Sequence, residues 1–369
     1  MYLSSFLSNN EGDFMSEQFI QTPNLQNITN QDLQIFATFG PTCHRVETLE
    51  MMLNMGMTGI RLNLSHSTLK EKEYWIKNLH QACANTHKPC HIMLDLVGRQ
   101  RRLGKFEPFH VKKGEIIKIP DRLPISGDLL IHFEKGDELH IGDSGHSLVL
   151  LEQDPQGNSW TAQALEDGYL ESGKSIHLLN KDSTLPILYA QDIENIKICK
   201  EYGVDQIMVP LVQNAQDLEE IRKVMNEYIP HATMFAKIEN MEGVRHLHEI
   251  MNVADVIVIA RGDLAASTSL EWLPVIATYI QQECLKANKP YMMVTQMLHS
   301  MITEPRPTRA EVSDVYNAVL QGASAVMLTG ETANSKNPRT AMDYFCKIAH
   351  HAKELRDHPE KIHELIAIL

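Results

Sequence analysis

The chain has 369 residues, 43% hydrophobic and 22% charged, a globular usage that excludes disordered, collagen-like and coiled-coil classes for its bulk. Lysine plus arginine number 34 against 47 aspartate plus glutamate, and the net charge of −13 argues against general nucleic-acid binding while leaving room for a local basic pocket. No apolar run approaches the roughly 20 residues of a membrane helix, so no membrane partner is expected. The six cysteines, Cys43, Cys83, Cys90, Cys199, Cys284 and Cys346, form no CxxC pair and read as reduced thiols of a cytoplasmic protein.

Residues 1–30, rich in Asn, Gln and Ser, read as a loose arm without the basic start of a signal peptide, and Met15 offers an alternative start. Strand-length apolar runs follow at 33–40, 59–65 and 90–97, then at 205–212, 232–239, 254–261, 290–296 and 324–330. Their continuous apolar character fits parallel strands covered on both faces. Helical spacing is expected over 44–55, 68–84, 190–202, 214–227, 241–251, 272–288, 308–321 and 338–355. Eight strands alternating with eight helices is the count of a (β/α)8 TIM barrel, with a doubly wound open sheet as the alternative. Between the third and fourth runs, residues 104–182 carry VKKGEIIKI, GDLLIHF, DELHIGD, HSLVLLE and GKSIHLL, split by Gly, Asp and Asn. That rhythm predicts a small all-β domain inserted after the third barrel strand. The expected divisions are the arm (1–30), the first barrel part (31–97), the inserted domain (98–183) and the second barrel part (184–369).

Residues at the C-terminal ends of barrel strands line the active face. Those positions hold Arg61, Asn63 and Ser65, then Asp95, then Lys237 and Glu239, then Arg261 and Asp263, then Thr295 and Gln296, and finally Thr329, Gly330, Glu331 and Thr332. A ring of rim ion pairs is one reading of them. Lys237 and Glu239, two apart on one strand, share a face. Glu239 and Asp263 end adjacent strands, and two carboxylates suit a hard divalent cation such as magnesium. A lysine beside that cation, with Arg61 as a second fixed charge, can neutralise a transferring phosphoryl group. Asn63, Ser65 and Asp95 offer oxygens suited to a monovalent cation or a water-bridged metal. Gly262 and Asp263 lie where a strand gives way to a helix, whose free N–H groups suit a carboxylate or phosphate, and Thr295 adds a hydroxyl. Together these residues describe a metal-assisted site for a small anionic acid and phosphate.

The motifs AKIENMEGV (236–244), VIARGDLA (258–265), ATFGPTC (37–43), IRLNLSHS (60–67) and the long stretch 295–333 resemble the pyruvate kinase family along nearly the whole ordered length. The resemblance implies phosphoryl transfer between phosphoenolpyruvate and ADP, giving pyruvate and ATP, with Mg2+ and K+. It implies Lys237 as the transfer lysine, Arg61 at the phosphoryl group and Thr295 beside the enolate carbon. The Gly262 N–H would meet the substrate carboxylate, and Glu239 and Asp263 would hold magnesium. Asn63, Ser65, Asp95 and the backbone carbonyl of Leu96 would form the potassium site. Asn63, His66, Arg102 and Lys174 would serve the nucleotide.

The sequence also departs from that family. After Asp95 the family's threonine–lysine–glycine–proline run is Leu96, Val97, Gly98 and Arg99, with Arg101 and Arg102 close behind. Gln213 replaces the strand-four arginine, and Ala265 replaces a glycine. These changes leave two alternatives: a catalytically weak relative acting as a sensor or interaction protein, or a related enolpyruvate or oxaloacetate enzyme. With the chain ending at Leu369, a form without the family's C-terminal allosteric domain is expected. Val315, Val319, Ala341 and Phe345, on the last barrel helices, are expected to leave apolar surface that prefers burial; the resemblance adds a contact built from the barrel domain, so a homodimer is expected.

Overall fold

A computed structural model describes residues 33–65, 67–99, 101–125, 130, 133–142, 146–178 and 185–367. The first three runs form β1 (Gln34–Thr38), β2 (Gly59–Asn63) and β3 (His91–Asp95). The intervening chain supplies β4 (Arg101–Arg102), β5 (Phe109–Val111), β6 (Ile116–Ile119), β7 (Glu138–Ile141), β8 (His146–Gln153), β9 (Trp160–Ala164), β10 (Gly168–Leu170) and β11 (Ser175–Leu178). The remaining runs form β12 (Gln206–Val209), β13 (Thr233–Ile238), β14 (Val256–Ala260), β15 (Tyr291–Val294) and β16 (Ala325–Met327). A closed parallel barrel results, in the order β1-β16-β15-β14-β13-β12-β3-β2, as expected. The open sheet is thereby excluded.

Strand periodicity divides the barrel residues between two cores. Ile35, Ile60, Leu62, Ile92, Leu94, Ile207, Ile257 and Val326 point outward into the layer shared with the helices. The inner set includes Phe36, Met93, Met208, Phe235, Val258, Met292, Val294 and Met327. Phenylalanine and methionine, not isoleucine and leucine, therefore fill much of this barrel. Gly59 makes that filling possible, because a Cβ there would stand 2.1 Å from the Phe36 ring.

The helices follow the sequence spacing closely, and local chemistry sets their starts. Thr308 and Glu311 form a capping box on the helix Arg309–Leu320, and Asn214 accepts the Asp217 N–H at the start of Ala215–Tyr228. The segment expected over 241–251 divides into Met241–Arg245 and Leu247–Val253. No helix among the described residues is long and apolar enough to cross a membrane, and all six cysteines are free.

The last barrel helices correct one expectation. Val315, Val319, Ala341 and Phe345 are all fully buried. The helices Arg309–Leu320 and Pro338–Asp357 pack against each other, and these side chains lie on the stripe turned to the barrel. Apolar character at helical spacing marked the inner face, so these residues give no support to a homodimer. Exposed apolar side chains occur instead at Leu270, Trp272, Val275 and Tyr279, around the helix Leu273–Lys286.

Between β3 and β12 the chain forms an antiparallel sheet in the order β4-β11-β7-β8-β9-β6, with β5 and β10 paired beside it. It has its own core, including Ile117, Ile119, Leu139, Leu148, Trp160 and Ala162. The sequence reading passed over β9 and β10, where Thr161, Gln163 and Gly168 interrupt the apolar pattern. GDLLIHF falls mostly outside the described residues, although its Leu130 and Phe133 join this core. The arm at 1–30 lies outside them too.

Candidate active site

The inner set changes character at the C-terminal ends of the strands. Phe36 is followed two positions on by Thr38, Met93 by Asp95, and Phe235 by Lys237 and then Glu239. Arg61 is paired with Thr38 on β1 and with Met93 on β3. Side chains two apart on a strand share a face, so these polar groups form a charged layer directly above an apolar one.

The layer is closely paired. Arg61 Nε and Nη2 donate to Asp95 Oδ2 at 2.8 and 2.6 Å, and Arg61 Nη1 reaches Thr38 Oγ1 at 3.3 Å. Lys237 Nζ lies 3.3 Å from Asp95 Oδ1 and 3.3 Å from Glu239 Oε1. Glu239 Oε2 accepts the Leu211 N–H at 2.7 Å. Asp95, Lys237 and Glu239 are all buried. Burial works against the Lys237 ammonium, but Asp95 and then Glu239 outweigh it and raise its pKa above the usual lysine value. Burial pushes the Glu239 carboxyl up to about 7; Lys237 opposes that rise and the charge of Asp263 adds to it. Asp263 sits in the first turn of the short helix Arg261–Ala266, which follows β14 directly.

The other predicted site residues divide into groups. Thr295 has φ +70°; its Oγ1 accepts the Gly262 N–H at 2.9 Å and donates to the Val294 carbonyl at 2.6 Å. The Gly262 N–H is thus already partnered, and Thr295 must turn before that N–H can serve a substrate carboxylate. Asn63 Oδ1 accepts the Ser65 N–H at 3.0 Å in a local turn beside Asp95. The Leu96 N–H donates to the Met208 carbonyl at 3.0 Å. Arg102 lies on the inserted sheet, where it pairs with Ser175, the residue after Lys174. Arg102 Nη1 donates to the Gly173 carbonyl at 2.9 Å, and Lys174 lies 3.2 Å from Glu171. His66 lies outside the described residues.

Three other polar residues at the strand ends have structural partners. Arg261 pairs with Asp314 at 2.7 Å and also holds the Thr295 carbonyl. Glu331 accepts the Leu298 and Thr329 N–H groups, and Thr332 Oγ1 joins β1 through both the N–H and the carbonyl of Thr38. The sequence reading missed Thr38, although the strand-end rule applies to it. It also missed Asp192, a fully buried carboxylate that accepts the Val97 and Gly98 N–H groups at 2.9 and 3.0 Å; in sequence it resembles an ordinary first-turn acid.

Volume alone does not locate this site. A cavity of about 810 Å³ opens at the opposite barrel end, lined by Met57, His91, Asp205 and Phe235. A smaller one, about 600 Å³, is lined by Ser65, Glu71, Gly98, Arg101 and Tyr189, at the C-terminal strand ends where barrel chemistry is placed.

Glu239 and Asp263 supply hard, like-charged oxygens, a donor set that suits magnesium. No group of three or more His, Cys, Asp or Glu side chains able to hold a metal occurs among the described residues, so substrate and water would complete the coordination. Asp95 Oδ1 is buried and takes no hydrogen bond, and the Lys237 ammonium stands 3.3 Å from it.

A closed parallel barrel with a charged layer at its strand C-termini defines the (β/α)8 class and places its chemistry. Residues 30–342 match the family described as "Pyruvate kinase, barrel domain". A protein named pyruvate kinase from Dictyostelium discoideum is 35% identical over 334 residues, covering 87% of this chain and 66% of its own length. Another, from Aeropyrum pernix, is 33% identical over 333 residues, covering 89% and 72%. "Pyruvate kinase, cytosolic isozyme" of Glycine max is 32% identical over 350 residues, covering 90% and 68%. The chain spans about two thirds of the length of these relatives. It belongs to the pyruvate kinase family.

Proposed function

We propose that the chain catalyses phosphoryl transfer between phosphoenolpyruvate and ADP, with magnesium and potassium as its cations, in the cytoplasm. The observation that carries this reading is the buried Lys237 ammonium, held between Asp95 and Glu239 with Arg61 alongside. Two fixed cations focused on one point in a water-poor site suit a phosphoryl group in flight, whose negative charge is spread over three oxygens. Magnesium, bound by Glu239 and Asp263, would neutralise phosphate oxygens.

Lys237 keeps its proton because its carboxylate neighbours outweigh burial, so it acts as a charge and not as a base. Arg61, now turned onto Asp95, would exchange that carboxylate for the phosphoryl group when substrate arrives. Thr295, freed from Gly262, would face the enolate carbon while the Gly262 N–H takes the substrate carboxylate. Asn63, Ser65, Asp95 and the Leu96 carbonyl would hold potassium. Arg102 and Lys174 would meet the nucleotide phosphates from the inserted sheet.

The test is pyruvate formation from phosphoenolpyruvate and ADP with both cations present, measured through a coupled NADH-consuming assay. Turnover that falls about 10²–10³-fold in Lys237→Met is the expected result. No turnover at saturating substrates would overturn the proposal.

A further inference from the structure

Two of the departures noted in the sequence, Arg99 and Gln213, touch. Arg99 leaves the barrel just after Gly98, whose φ of +54° turns the chain toward the inserted sheet. Although it sits at a hinge, the residue is only 6% exposed. Its Nη1 lies 2.5 Å from Gln213 Oε1. Nη2 and Nη1 also grip Asp217 Oδ1 and Oδ2, at 2.7 and 3.0 Å. Asp217 is itself buried and accepts the Gln213 N–H at 2.8 Å.

The same guanidinium reaches two further points. Nε donates to the carbonyl of Leu185, on the segment that returns from the inserted sheet, at 3.1 Å. Nη1 reaches the Leu211 carbonyl at 3.4 Å. Leu211 has φ +52°, a left-handed conformation unfavourable for leucine, and its N–H is the donor to Glu239 Oε2 at 2.7 Å. A continuous path therefore runs from the hinge through Arg99 to the strained turn that holds a magnesium-binding carboxylate.

We propose that Arg99 is a positioning residue for Glu239, and that Arg99 and Gln213 form one compensated exchange: the guanidinium that neutralises Asp217 enters from the hinge instead of from the loop after β12. The guanidinium's flat fork fixes acceptors on four residues at once, which an ammonium does not do. Because it also holds Leu185, the exchange couples both hinge segments to the geometry of the metal-binding turn.

This inference rests on the reading that Glu239 binds the divalent cation, so the test includes Glu239→Gln as a separate arm. The measured quantity is Mn2+ affinity of the full chain, from the electron paramagnetic resonance signal of free Mn2+, alongside thermal melting followed by circular dichroism. Arg99→Lys keeps the charge but loses the fork; its Mn2+ affinity is expected to fall about tenfold, the lower end of the usual effect of losing an outer-shell partner. Gln213→Arg alone sets two guanidinium groups against one carboxylate and is expected to weaken affinity as well. The double variant Arg99→Pro with Gln213→Arg is expected to return affinity to the parent value.

A folded Arg99→Lys with parental Mn2+ affinity overturns the proposal. Should Arg99→Lys fail to fold, the double variant decides: parental affinity supports the exchange, and weakened affinity or failure to fold overturns it. Loss of affinity in Glu239→Gln alongside unchanged affinity in the Arg99 variants defeats only this inference. Parental affinity in Glu239→Gln defeats the metal assignment itself, and this inference with it.

Discussion

Lys237 Nζ stands 3.3 Å from a carboxylate oxygen of Glu239, two residues along the same chain direction, at the end of a strand buried on both faces. A strand is the one regular structure that puts residues two apart on a common face. The spacing therefore delivers a fixed cation and a buried carboxylate to one point without a loop rearrangement. Lys237→Met is expected to lower kcat by about 10²–10³-fold, the usual loss of one preorganised donor to a transition state. KM for the phosphorylated substrate should change far less, because the charge acts mainly as the phosphoryl group transfers. Steady-state kinetics over a substrate titration separates the two parameters.

At the other end of the barrel, His91 Nδ1 and Asp205 Oδ2 are 2.6 Å apart. The hydrogen bond to Asp205 raises the His91 pKa, burial lowers it, and the charge of Asp205 raises it again, leaving it above the ordinary histidine value. A raised pKa means the folded state holds the proton more tightly than the unfolded chain. The pair's stabilisation is accordingly complete below the ordinary histidine pKa and is lost as pH rises through the folded value. Both partners are close to half exposed, so the effect should not exceed about 1 kcal/mol. Asp205→Asn is expected to return the His91 titration, followed by NMR, toward the ordinary value.

Gly59→Ala tests the filling of the barrel. The new methyl would meet the ring of fully buried Phe36, which Phe235 confines edge-on at 6.4 Å. Overpacking of this kind costs about 1–3 kcal/mol. Urea denaturation should show that loss, and Gly59→Ala combined with Phe36→Leu should recover part of it.

Phe345→Ala separates a core position from a surface one. The side chain is fully buried between its helix and the barrel, so truncation is expected to cost about 3–5 kcal/mol in the same denaturation measurement. An exposed phenylalanine at a contact between subunits would instead leave the monomer's stability within about 0.5 kcal/mol of the parent.

Strand order, helix order and the place of the inserted sheet were legible in the chain because periodicity and turn residues are local properties. The VIVIA centre of ADVIVIAR shows no polar alternation, which fits a strand covered on both faces. The strand-end rule then found Arg61, Asp95, Lys237, Glu239 and Asp263 together, since a barrel brings all strand C-termini to one rim. The same rule could not separate partners from bystanders: Glu331 and Thr332 occupy equivalent positions but tie turns and strands together.

What the sequence by itself determined is the (β/α)8 frame and the charged residues gathered at its mouth, because both follow from residue type and spacing along single strands. Which face of the last helices is buried was decided only by packing. A helix with apolar residues at i and i+4 has a stripe, but nothing in the stripe says what covers it; here the barrel covers Val315 and Phe345. Tertiary structure alone likewise brought Arg99 to Gln213 and Asp217, more than a hundred residues away in the chain. In sequence they are two separate departures from a pattern. In the fold they share one buried guanidinium, since a charge taken out of water must find its partner wherever the chain has placed it.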